Sequence, residues 1–204
     1  LGGEFRISFS TLYETRPSIA YCPGRDRFLV TWTKGGDYDF EGGNSDVYGQ
    51  LVDGDGSTLI GSNFVIASGD RNQFKSDVSC DVVNDRFLAV WEDQSQLATL
   101  DDIQGQLIST DGALLGASLL ISGTANIERR PVVAANTQDG TYLVVWEYQE
   151  ATGIRLLSQK LDSNGHPLSA PVPIGATLGG AWLAAMTADL GADRGAVALE
   201  LVGL

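Results

Sequence analysis

The chain has 204 residues, 43% of them apolar, and a formal net charge of -13. With 10 Arg and 3 Lys against 26 acids it has no basic stripe to meet a phosphate backbone, so nucleic acid and anionic membrane are excluded as partners. The 25 Gly, 6 Pro and 18 Asp, against 8 Glu, favour turns over helix interiors, and no apolar run reaches the roughly 18 residues of a membrane-spanning helix.

In chain order, the first expected element is a half-exposed outer strand, Gly3-Glu-Phe-Arg-Ile7, echoed by Ser62–Ile66, Ala117–Ile121 and Ala170–Ile174. Apolar and polar residues alternate there, and Pro171 and Pro173 fit only an edge. A second strand, Pro17–Tyr21, returns at Ser76–Cys80, Pro131–Ala135 and Ala184–Ala188, each with a small residue after a larger apolar one. Small residues let backbones approach closely, as the innermost strand around an axis requires.

The third strand carries the clearest repeat. Arg27-Phe-Leu-Val-Thr-Trp32 recurs as Arg86-Phe-Leu-Ala-Val-Trp91, as Thr141-Tyr-Leu-Val-Val-Trp146 and, degenerate, as Arg194-Gly-Ala-Val-Ala-Leu199. Apolar residues at both parities mark a strand sandwiched between two layers, and a Trp at its end is expected in the core. A fourth strand, Asp46–Leu51, returns at Asp102–Leu107 and Arg155–Lys160 and leads into Asp53-Gly-Asp-Gly56, Thr110-Asp-Gly112 and Ser163-Asn-Gly165. Such turns are strong hairpin signals, because Asp, Asn and Gly accept positive φ.

The Trp spacings of 59 and 55 residues lie in the range of repeat architectures. Four antiparallel strands per unit, small inside and larger outside, predict an all-β, small β-propeller-like array of four repeats, the fourth incomplete. The units read as 1–59, 60–114, 115–167 and 168–204 of a single repeat domain. The eroded fourth unit leaves the edge 196–202 to be paired, by residues 4–8 of the same chain or by a second chain.

The segments Pro-x-Val-Ala, Phe-Leu-Val-Val-Trp, Asp-Ile-Tyr-Gly-Gln, Asp-x-x-Gly and Phe-x-Ile resemble the propeller-type repeats of large secreted or surface-attached bacterial proteins. The resemblance covers residues 1 to about 175. It implies an extracellular or cell-surface setting and an adhesive or scaffolding role, and it carries over no catalytic residue.

Two clusters are candidate sites. Arg16, Lys75 and Arg130 share one repeat position at the mouth of the inner strands, near Asp46 and Asp102 at another. They form either a basic ring for an anionic ligand or, as favoured, a ladder of Arg or Lys to Asp pairs joining strands. Arg155 stands where the Asp would be in repeat three, so the pairing is expected to fail at Arg130. The acidic insertion places Asp37, Asp39 and Glu41 at alternate positions before Gly42, matching the first half of a Ca²⁺ loop. No acid stands at its twelfth position, Tyr48. Asp37, Asp39, Glu41 and Asp46 are therefore the metal candidates, with Ca²⁺ the cofactor, against a solvated acidic loop as the favoured reading.

His166 is alone, so no triad or His-rich metal site can be assembled. Cys22 and Cys80 fit one disulfide or two buried thiols. They fall one position apart in the repeat register, which predicts side chains facing opposite ways. Taken together, these residues predict a non-enzymatic extracellular structural, adhesion or assembly module, partnered by itself or by a surface protein or glycan. A carbohydrate-binding, lectin-like propeller is the alternative.

Overall fold

The structure, a computed structural model, describes residues 4–36, 44–95, 100–178, 182–188 and 197–202, with side chains described as far as residue 174. Strands β1 (Glu14–Cys22), β2 (Arg27–Gly35), β3 (Ser45–Asp53) and β4 (Leu59–Ala67) form one four-stranded antiparallel sheet. Strands β5 (Gln73–Asp81), β6 (Arg86–Asp93), β7 (Asp102–Ser109) and β8 (Leu114–Ser122) form the second. The third comprises β9 (Ile127–Ala135), β10 (Tyr142–Glu150), β11 (Gly153–Leu161) and β12 (Val172–Leu178). Strands β13 (Trp182–Ala188) and β14 (Val197–Val202) pair as a two-stranded fourth unit. The first strand of each sheet packs on the first strand of the next, β1 on β5, β5 on β9 and β9 on β13. The fold is an all-β, propeller-like array of four repeats with the fourth incomplete.

The blades stack by a parity rule written in the Trp strand. In blade 2, Phe87, Ala89 and Trp91 point to blade 1, in one core with Leu29, Val47 and Leu51. Leu88 and Val90 point the other way, in a second core with Val133, Tyr142, Val144 and Trp146 of blade 3. Each blade thus offers an aromatic face to its predecessor and an aliphatic face to its successor. Both parities of the strand are buried for this reason, as expected of a strand between two layers.

The motif residues between these faces have separate jobs. Gln50 and Gln106 are buried where the third and fourth strands of blades 1 and 2 slip in register. Each donates its side-chain amide to two carbonyls the ladder leaves unmet, Gln50 to Leu51 and Ile60, Gln106 to Leu107 and Leu115. The preceding Gly49 makes room for Phe64 and Ile66, whose side chains would lie within 3 Å of a Cβ. In the inner hairpins, the residue before the repeat's Arg or Thr holds left-handed backbone: Asp26 (φ 52), Asp85 (φ 52) and Gly140 (φ 69). The recurring Asp is therefore a turn residue.

Two expectations are corrected by the fold. Cys22 and Cys80 form a disulfide joining β1 to β5, with 5.4 Å between their Cα atoms. Opposite parity was expected to keep them apart, but neighbouring blades present opposite faces to each other, so opposite parity is what brings them together. Residues 4–7 of the strand expected at Gly3–Ile7 do not form a strand either. Residues 4–13 are irregular, and Ile7 packs on the outward aromatic face of blade 1, against Val30, Trp32 and Val52.

Candidate functional site

The inner strands carry the chemistry, because the fold lines them up around one axis. Arg16, Lys75 and Arg130 all sit at the bulge of an inner strand with φ of 53°, 53° and 52°. Left-handed backbone at a long, non-Gly side chain costs about 1 kcal/mol or more, so the surroundings must fix it. They do so through the residue after the preceding blade's Trp. The Lys75 N–H donates to Thr33 Oγ1 at 3.1 Å, and the Arg130 N–H to Glu92 Oε2 at 3.2 Å.

The same post-Trp position neutralises the cations. Lys75 Nζ meets both oxygens of Glu92 at 3.0 and 2.9 Å, and Arg130 Nη1 both oxygens of Glu147 at 3.0 and 2.9 Å. Arg129 adds a contact to Asp101 and one to Glu92. Burial pushes Lys75 down and Glu92 up, while each charge opposes the shift of the other. The structure thus brings the predicted cations to equivalent places, but the carboxylates holding Lys75 and Arg130 are Glu92 and Glu147. Asp46 instead faces Lys34 across the β2–β3 ladder, and buried Asp102 faces Asp93. Arg130 was expected to lack the repeat's carboxylate partner; Glu147 supplies one. The legible signal was that Glu follows Trp in repeats two and three.

Asp37, Asp39 and Glu41 lie outside the described residues. Asp46 is half-buried, and burial raises its carboxyl pKa, with the Gly69 backbone and Lys34 opposing. Among the described residues no three His, Cys, Asp or Glu side chains are grouped to hold a metal ion. His166 is exposed beside Asp162.

A cleft of about 620 Å³ opens against β1, β5 and β9. Ile19, Tyr21, Val82 and Val133 give it an apolar wall, and Asp77, Ser79 and Thr137 its polar groups. Asp77 bridges three inner strands: Oδ1 accepts from Ser18 Oγ at 2.6 Å on β1, and Oδ2 accepts from the Val133 N–H at 2.8 Å on β9. Burial holds its carboxyl above the usual range against those two donors. Ser79 repeats the device one step on, accepting from the Ala135 N–H at 3.0 Å. Asp77 escaped the sequence reading because Ser18 and Val132 occupy its place in the flanking repeats, so no recurring signal marked it.

At the inner-hairpin end of the blades, opposite the Lys75–Glu92 pair, Arg27 donates to Thr110 O (2.7 Å) and Asp111 Oδ1 (2.6 Å) of the next blade's turn. Arg86 reaches Ser163 O of blade 3 in the same way and pairs with buried Asp81. Asp81 also accepts from the Tyr142 hydroxyl, and burial followed by that acid raises the Tyr142 pKa. The repeat's leading Arg is an inter-blade staple.

No protein-family model matches the chain, and no curated protein matches it. Among solved structures, a GH43 endo-arabinanase from Bacillus licheniformis aligns with 93% of this chain and 72% of its own at 13% identity, with a TM-score of 0.49. That structure is of an enzyme, and it corrects the expectation of a non-enzymatic adhesion or lectin-like module, which is withdrawn. Among the described residues no helix is long and apolar enough to cross a membrane.

Proposed function

We infer that the axial cleft is a substrate site and that the chain acts as a hydrolase on a neutral, hydroxyl-rich substrate, with Asp77 as the proton donor. The observation supporting this reading is the carboxyl of Asp77 in the cleft, held above the usual range by burial while its two oxygens are fixed from either side. Burial disfavours the charged form of this carboxyl, and a carboxylic acid in an apolar setting can pass its proton to a leaving oxygen. Among the described residues no Lys or Arg lines the cleft, and the net charge of -13 disfavours an anionic substrate. The buried Cys22–Cys80 disulfide supports an oxidising, extracellular location, the setting that the repeat resemblance implies.

The test is turnover by the purified chain on a panel of neutral polysaccharides and aryl glycosides, arabinan among them, read as release of reducing ends. Hydrolysis should fall by about 100-fold or more in Asp77→Asn, the span of a positioned general acid, with no loss of melting temperature. Turnover equal in both proteins, or absent across the panel, overturns the assignment.

A further inference from the structure

Strands β1 and β5 belong to different sheets, so no backbone ladder joins them, and they meet across the junction of blades 1 and 2. Among the links that cross there are the Cys22–Cys80 bridge and the hydrogen bond from Ser18 Oγ to Asp77 Oδ1 at 2.6 Å. The two links are four residues apart on β1 and three apart on β5. Ser18 and Asp77 each stand first after the bulge of their own strand, where the ladder to β2 or β6 is interrupted. A bulge loosens the hold of a sheet on its strand locally, so the covalent link further along takes a larger share in placing one strand against the other. Cys22 is 0% exposed, whereas Cys80, at 8%, lines the cleft that holds Asp77. A small reagent in the cleft therefore meets the bridge at Cys80.

We propose that the bridge is a redox-sensitive positioning device for Asp77: intact, it holds β1 where Ser18 donates to the Asp77 carboxyl, and reduction by a dithiol lets β1 withdraw and silences the cleft. This rests on the reading of Asp77 as the proton donor. In the step, a thiolate of the dithiol attacks Cys80 Sγ, the bond between the two sulfurs breaks, and Cys22 Sγ leaves as a thiolate and takes up a proton. The second thiolate of the reductant attacks the mixed disulfide, Cys80 Sγ leaves and is protonated in turn, and the reductant ends as its cyclic disulfide. Two electrons and two protons have then passed to the protein. Unbonded sulfurs cannot approach as closely as bonded ones, and both lie in a packed core without slack to absorb the change, so the strands part. A hydrogen bond of 2.6 Å is lost once its partners separate by about 1 Å. Of the two cross-strand donors only the Val133 N–H then remains on Asp77. The cleft is thereby active in oxidising surroundings, where such bridges persist, and silent in reducing ones.

The experiment crosses Ser18→Ala with reduction by dithiothreitol, with far-UV circular dichroism as the check on folding. Melting is read first, since it needs no substrate. Ser18→Ala should lower the midpoint of the oxidised chain by about 2 to 4 °C, as for one hydrogen bond in a domain of this size, and leave that of the reduced chain unchanged. Additive losses overturn the coupling of bridge and hydrogen bond. Turnover is then read on the panel of neutral polysaccharides, well below both midpoints. Reduction should lower kcat by about 10-fold or more, as a small misplacement of a catalytic group does, with KM little changed, and reoxidation should restore it. In Ser18→Ala reduction should lower kcat no further, whereas Ser18→Thr, which keeps the donor, should respond as the native chain does. The variant carrying both Cys22→Ala and Cys80→Ala should match the reduced chain and ignore dithiothreitol. Equal kcat in the oxidised and reduced chains, or unfolding on reduction, overturns the switch. An oxidised chain without turnover on any substrate refutes the hydrolase reading and the switch with it, and the melting cycle shows separately whether the bridge holds Ser18 on Asp77.

Discussion

Replacing Cys22 and Cys80 together by Ala should cost about 4 kcal/mol. The bridge joins residues 58 apart in sequence, and opening a loop of that length restores about 14 cal/mol/K of chain entropy to the unfolded state, worth about 4 kcal/mol at 25 °C. That is a large share of the roughly 5 to 15 kcal/mol a domain possesses. The Cys side chains also sit in the core between blades 1 and 2, so their loss weakens the joint through which those blades fold as one. Urea unfolding of the oxidised chain, the reduced chain and the double variant measures the effect. The last two should agree with each other and show a steeper denaturant dependence, because an uncrosslinked unfolded chain exposes more surface. In a thermal scan the midpoint should fall by about 8 to 16 °C, taking 2 to 4 °C per kcal/mol for a domain of this size. A loss below about 1 kcal/mol in both measurements refutes the reasoning and makes the bridge incidental to stability.

Trp91→Ala should cost about 3 to 5 kcal/mol, as for any fully buried aromatic, since Trp91 is 1% exposed. Trp91→Phe should cost more than Trp146→Phe, because the Trp91 N–H serves buried Asp93 whereas the buried Trp146 N–H meets no partner among the described residues; equal losses in calorimetry would contradict this. Arg86→Ala should destabilise by about 1.5 to 3 kcal/mol, the worth of hydrogen bonds to a charged group, and by more than Arg27→Ala, whose partner Asp111 is exposed. For Asp77 the folded pKa is raised, so its contribution to stability is fully present below the ordinary carboxylate range and is lost as pH rises through the folded value. Asp77→Asn should therefore gain on the native protein from acid to neutral pH in melting experiments, and parallel profiles would sink that assignment. Binding of Ca²⁺ at Asp37, Asp39, Glu41 and Asp46 predicts a melting point raised by millimolar Ca²⁺ beyond any Mg²⁺ effect and insensitive to Ca²⁺ in Asp46→Asn; equal responses to the two ions mean a solvated loop.

The fold was legible because its physics repeats. The strands centred on Trp32, Trp91 and Trp146 carry apolar residues at both parities, and the turns at Gly56, Gly112 and Gly165 fall where φ must be positive, at 71°, 84° and 81°. Each signal recurs with the same cause, so one reading served for three blades. The start of the chain was misread for the same reason. Glu4 to Ile7 mimics the outer-strand pattern of Asn63 to Ile66, but a strand also needs a partner edge, and the structure gives residues 4–13 the face of blade 1 instead.

The candidate site was the least legible part, because repeats advertise what is common and a site is made where they differ. Position 77 is Asp between Ser18 and Val132, and this difference lets one carboxylate span β1, β5 and β9: a hydroxyl donor stands on one side and, on the other, an apolar residue whose successor, Val133, donates its backbone N–H. The disulfide follows the same logic. Cys22 aligns with Asp81 and Cys80 with Tyr21, so no repeat has Cys in register, yet blades stacked front to back place opposite parities in contact. In such an array, residues that break the repeat at opposite parity in adjacent units are the ones positioned to react with or bind each other across a junction. That rule locates the covalent staple, whereas the acid of the cleft breaks the repeat in register, at the position of Ser18 and Val132.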